Sequence, residues 1–101
     1  MSQKYKIRYL PAAERDLATI LEYIKKDNPD AALRLINEID ETILKLEDFP
    51  YMGVVPKDIR LKSLNYSMLV IENYLVFYII KDDIVEIRRI LHGKRKYSFL
   101  I

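Results

Sequence analysis

The order of hydrophobic patterns along this 101-residue chain predicts an α+β domain: an N-terminal strand, an antiparallel two-helix hairpin, then a three-stranded antiparallel meander (β-α-α-β-β-β). Three observations carry that prediction. The first residues alternate between apolar and basic. Two segments with apolar residues at helical spacing follow, parted by a short break. Three strand-like runs with tight joints then complete the chain.

In "KYKIRYL", Tyr5, Ile7 and Tyr9 point one way and Lys4, Lys6 and Arg8 the other, the signature of a half-buried strand. Pro11 suits a first helical turn, where its fixed φ fits and its missing N–H leaves nothing unpaired. Ala13, Leu17, Ile20, Leu21 and Ile24 then recur at helical spacing. "DNP" interrupts them, with Asn28 placed to cap a second helix and Pro29 in its first turn. Ala32, Leu35, Ile36, Ile39, Ile43 and Leu46 form the stripe of that second helix. So short a break folds the two helices into a hairpin. "FPYMGVVPKDIRLKSLN" reads as an irregular connection broken by Pro50, Gly53 and Pro56. The strands are "YSMLVIE", "YLVFYIIK" and "IVEIRRIL", joined at Asn73 and at "KDD". The tail "YSFLI" is apolar again.

The middle strand is apolar on both faces: Tyr74, Val76, Tyr78 and Ile80 on one, Leu75, Phe77 and Ile79 on the other. Such a strand is normally covered twice. Two helices cover one face, so the second is expected to lie beneath the tail, another subunit or a different protein.

Length limits the chain to a single domain over residues 1–101 with a modest core. Half the residues are hydrophobic and 32% are charged, a globular balance. Without cysteine there is no disulfide framework or thiolate metal site. No apolar run reaches about 18 residues, so no membrane span is expected, and with no signal sequence ahead of the first strand a cytoplasmic location is expected. Residues 1–50 carry 8 Lys and Arg against 10 Asp and Glu, and residues 51–101 carry 9 against 5. The net +2 thus conceals a basic C-terminal half, concentrated in "RRILHGKRKY".

The helix "LPAAERDLATILEYI", the loop "FPYMGVVP", the strands "Y…NYLVFYII" and the close "IRRILHGKRKY" together resemble the RelE/ParE superfamily of toxins from bacterial type II toxin–antitoxin systems, over nearly the whole length. The resemblance implies two helices against an antiparallel sheet, growth inhibition, plasmid stabilization, and neutralisation by a cognate antitoxin that wraps the toxin. RelE-like members cut messenger RNA on the ribosome; ParE-like members inhibit DNA gyrase. RelE-like members use cations on the central strands and a basic, tyrosine-bearing C-terminus. Here Ser67, Leu69 and Leu75 stand where such cations would fall, while Arg95 matches a C-terminal arginine and Tyr97 has a different offset from the RelE-like tyrosine. The ending "RILHGKR" is closer to the ParE-like branch. The resemblance therefore implies a gyrase-binding toxin without turnover, with a ribosome-dependent mRNA endonuclease or an inactive binding module as alternatives.

Candidate residues follow from the basic stretch. Arg88, Arg89, His92, Lys94, Arg95 and Lys96 are the expected contacts for target or antitoxin, and Arg89, His92, Arg95 and Tyr97 the catalytic set if the chain were an RNase. By strict alternation Arg89 shares a face with Val85, Ile87 and Leu91, where a cation needs either an external acidic group or phosphate, or a helix carboxylate. Arg88 then lies with Glu86 and His92. His92 is the sole histidine, with no carboxylate or second histidine near it in sequence. Lys94, Arg95 and Lys96 also discourage edge pairing. The eight tyrosines read as sheet packing rather than base-stacking groups. No cofactor is indicated, and with two glycines in the chain no phosphate-cradling loop is present.

Overall fold

The computed structural model of the protein describes residues 4–93. β1 (Lys6–Tyr9) leads through Leu10 into α1 (Pro11–Lys25), and α2 (Pro29–Leu44) packs against α1. Both prolines sit in the first turn of their helices, and the Asn28 side chain accepts a hydrogen bond from the Ala31 N–H at 3.1 Å. A 3-10 turn (Lys45–Glu47) ends the hairpin. The meander follows as β2 (Ser67–Ile71), β3 (Tyr74–Lys81) and β4 (Ile84–His92). Its two joints turn through left-handed residues, Glu72 (φ 53°) and Asp82 (φ 55°).

The strand order is β1-β4-β3-β2, and β1 runs parallel to β4 from Lys6 opposite Ile84 to Tyr9 opposite Ile87. The meander is antiparallel as expected, while the sheet as a whole is mixed. A long helical crossover between β1 and the meander permits that parallel edge. One face of the sheet receives the helices: Ala13, Ile20, Leu35, Ile39 and Ile43 meet Val76, Tyr78, Val85, Ile87 and Ile90.

The other face departs from expectation. Its centre is covered by the chain's own connection, which contains a five-residue helix, α3 (Ile59–Ser63). Leu61 and Tyr66 lie over Phe77 and Leu91, leaving all four buried. A helix of barely one turn has no period to read, so the segment looks irregular in sequence. Asp58 starts α3 by accepting from the N–H of Arg60 (2.8 Å) and of Leu61 (3.3 Å). At the far end of this face Val70 remains 62% exposed. The tail "YSFLI" lies outside the described residues.

The loop ahead of α3 is pinned by one buried hydroxyl. Tyr78 Oη donates to the Pro50 carbonyl at 3.0 Å and accepts from the Gly53 N–H at 3.1 Å. A Cβ at residue 53 would stand 2.4 Å from that hydroxyl and 2.8 Å from the Met68 carbonyl, so glycine is dictated by space. Val54 and Met68 exchange backbone hydrogen bonds of 2.8 Å, which ties the loop to the β2 edge.

Candidate functional site

A register shift in β4 rearranges the basic strand. Phe77 pairs with Arg89, but Tyr78 pairs with Ile87, so Arg88 is an extra residue with no partner on β3. This bulge breaks strict alternation. Val85 and Ile87 lie on the helix side, as does Ile90, whereas Leu91 belongs to the second face and Arg89 stands opposite Phe77. The expected grouping of Arg89 with Val85 and Ile87 is therefore corrected; its grouping with Leu91 holds. His92 likewise parts from Arg88 and comes to the helix side, opposite Tyr74.

Arg89 reaches a helix carboxylate. Its Nε donates to Asp16 Oδ2 at 2.7 Å and its Nη2 to Asp16 Oδ1 at 3.1 Å, a two-pronged ion pair between α1 and β4. Asp16 Oδ2 also accepts from the Ile90 N–H at 2.9 Å. β1 ends at Tyr9, and the Leu10 N–H makes its last bond to Ile87 O, so β4 runs past its neighbour. Asp16 satisfies an edge donor there that β1 cannot reach. The Asp16 hydrogen bond holds the Arg89 guanidinium pKa above its ordinary value, against the opposing effect of burial. Of the two readings the sequence left open for Arg89, the structure contains the helix carboxylate.

Arg88 sits on the second face. Its Nη1 is 3.1 Å from Glu86 Oε1 on the same strand, and its guanidinium carbon is 5.8 Å from the Tyr66 ring centroid. Glu86 is shared with Lys81 at 3.9 Å. His92 packs edge-on against Tyr74 with ring centroids 5.3 Å apart. It lines an open cleft of about 650 Å³ with Asp16, Tyr23 and Tyr74. Arg88 thus lies on the second face, whereas Arg89, through Asp16, borders the cleft that His92 lines. Lys94, Arg95, Lys96 and Tyr97 lie outside the described residues.

The second face of β2 and β3 presents Met68, Val70, Leu75, Phe77 and Ile79. At the end of this face Lys81 approaches Glu86, to which Arg88 is also bound. Among the described residues no group of three His, Asp or Glu is placed to hold a metal ion, and no helix is long and apolar enough to cross a membrane.

Two features escaped the sequence reading. Asp16 lies three residues after Ala13 and four before Ile20, on the buried stripe of α1; an acid there is a signal that could have been used. The second is the connection between α2 and β2, which exposes Phe49, Tyr51, Val54, Val55, Ile59 and Leu64. Its apolar content was readable, but not which side chains would remain outside.

The family "ParE toxin of type II toxin-antitoxin system, parDE" matches residues 7–97. "Putative toxin Y4kP" of Sinorhizobium fredii (strain NBRC 101917 / NGR234) is 35% identical over 97 residues, covering 96% of both chains. Among solved structures, a chain of the chromosomal ParDE toxin–antitoxin system from P. aeruginosa superposes with a TM-score of 0.75 at 20% identity, over 90% of this chain and 98% of that one. A chain of the RelBE2 toxin–antitoxin complex from Mycobacterium tuberculosis gives 0.65 at 24% identity, over 88% and 98%. These two likenesses speak for the fold. With the family match over residues 7–97 and a toxin relative 35% identical across 96% of both chains, the chain belongs to the ParE toxins of type II toxin–antitoxin systems.

Proposed function

We propose that this toxin acts by binding DNA gyrase and is held inactive by a cognate antitoxin. The observation that carries the non-hydrolytic part is the apolar second face of β2 and β3, at Met68, Val70, Leu75, Phe77 and Ile79. Metal-free RNA cleavage needs a base for the 2′-hydroxyl, cations for the pentavalent phosphate and an acid for the leaving oxygen. On this face the cations Lys81 and Arg88 are both drawn to Glu86, away from the apolar stretch. Arg88 and Arg89 are engaged by carboxylates, which favours a structural role for both guanidiniums. The gyrase target itself is supported by family membership. The antitoxin is supported by the ParDE system and the RelBE2 complex to which the chain is similar.

Purified chain titrated into gyrase with relaxed plasmid should block supercoiling or accumulate broken DNA in proportion to dose. Added antitoxin should restore supercoiling. Full gyrase activity at saturating toxin would refute the proposed target.

A further inference from the structure

The connection between α2 and β2 carries a run of exposed apolar side chains. Ile59 is 81% exposed and Tyr51 74%, and Phe49, Val54, Val55 and Leu64 are exposed with them. A cluster of this kind marks an interaction surface, as scattered apolar residues do not. The backbone beneath it is already fixed. The Tyr78 hydroxyl ties down Pro50 and Gly53, Val54 is bridged to Met68, and Asp58 caps α3. Association therefore has little left to order.

The connection crosses one end of the sheet, and its charge changes sign on the way. It starts beside β1, where the Tyr5 N–H donates to the Glu47 carbonyl at 2.9 Å and the Lys6 N–H to the Asp83 carbonyl at 2.8 Å. Glu47, Asp48, Asp82 and Asp83 stand at this end against Lys4, Lys6 and Lys45, a balance of −1. In the middle, Tyr51 and Val55 share an open cleft of about 460 Å³ with Lys62, Tyr66 and Ile80. At the far end Lys57, Arg60 and Lys62 stand against Asp58, a balance of +2. Leu64 there borders a second cleft with Lys81 and Arg88, whose common partner is Glu86, so the sign is the same. A partner of one charge would meet its own sign at one end of the strip. Nucleic acid would also leave the aliphatic side chains unused. A second copy fits both ends, because a two-fold axis through the middle sets the acidic end of each protomer against the basic end of the other. The strip from Glu47 to Leu64 approaches the roughly 20–30 residues a side of a stable interface. We propose that it is a homodimer interface, with Tyr51 and Val55 packed near the axis and Asp48 of one protomer against Lys62 of its partner. The inference rests neither on the family nor on gyrase.

Sedimentation equilibrium of the full-length chain should show its mass doubling as concentration rises. Ile59→Ser should weaken association about tenfold or more with an unchanged circular dichroism spectrum, since residue 59 is exposed within the protomer. Charge reversal gives the sharper reading. Asp48→Lys and Lys62→Glu, both at exposed positions, should each weaken self-association about tenfold or more, because like charges then meet. Mixed together, the two variant chains should pair again, since both contacts across the axis then join opposite charges. A chain that stays monomeric at millimolar concentration would overturn the proposal. So would association that Ile59→Ser leaves untouched, or a mixture of the charge variants that pairs no more tightly than either alone.

Discussion

Asp16→Ala removes one carboxylate and three hydrogen bonds: from Arg89 Nε (2.7 Å), from Arg89 Nη2 (3.1 Å) and from the Ile90 N–H (2.9 Å). The side chains are 14% exposed for Asp16 and 25% for Arg89, so the pair is neither a surface bridge nor fully buried. Surface pairs contribute about 0–1 kcal/mol, whereas breaking a buried pair costs about 3–5 kcal/mol. The lost Ile90 bond adds about 1 kcal/mol, discounted because water can approach the strand edge. Together these place Asp16→Ala at about 2–3 kcal/mol of destabilisation. Urea unfolding should show a lower midpoint with an unchanged slope. A double-mutant cycle with Arg89→Met isolates the pair from the other contacts Arg89 makes, and should give a coupling of about 1–2 kcal/mol. A single-mutant effect below about 0.5 kcal/mol, or a coupling near zero, would refute a structural role for this ion pair.

Tyr78→Phe strips partners from the Pro50 carbonyl and the Gly53 N–H, and should cost about 1–3 kcal/mol in thermal or urea unfolding. Gly53→Ala should destabilise by about 1–3 kcal/mol, because its Cβ meets the buried Tyr78 hydroxyl and a backbone carbonyl. Glu72→Asn should raise the melting temperature by a few degrees. It relieves a left-handed backbone and the crowding with Glu38, whose pKa is raised chiefly by its hydrogen bond to Glu72. Burial, and then the hydrogen bond to Asp40, push the Tyr9 phenol above its ordinary value, and burial raises Tyr74 and Tyr78. The folded state therefore holds these protons more tightly than the unfolded chain. Their contribution is complete below about pH 10 and falls as pH climbs through the raised values. Absorbance at the phenolate band should show late-titrating tyrosines that Tyr9→Phe reduces by one.

The elements that a sequence period can encode were legible: the Tyr5–Tyr9 alternation, the stripes of α1 and α2, the Asn28 cap and the meander. What escaped lacks a period. α3 spans five residues, and its burial of Leu61 over Phe77 depends on the chain folding back across the sheet. The bulge at Arg88 is marked only by two successive arginines between Ile87 and Ile90, a pattern that a paired cation on the apolar face fits equally well. Extending the two-residue period through "IRRIL" therefore placed Arg89 with Val85 and Ile87, and His92 with Arg88. The pairing of Arg89 with a helix acid was open in sequence, and Asp16 on the α1 stripe was the residue that could have decided it. The parallel placement of β1 beside β4 is a long-range choice that local patterns do not specify.

The central claim, that this toxin inhibits by occupying a target and performs no phosphodiester chemistry, meets its most direct test on translating ribosomes. Purified toxin at saturating concentration should leave messenger RNA without new 5′ ends, as mapped by primer extension. Toxin-dependent cleavage at defined codons, abolished by changing His92 or Arg95, would contradict it.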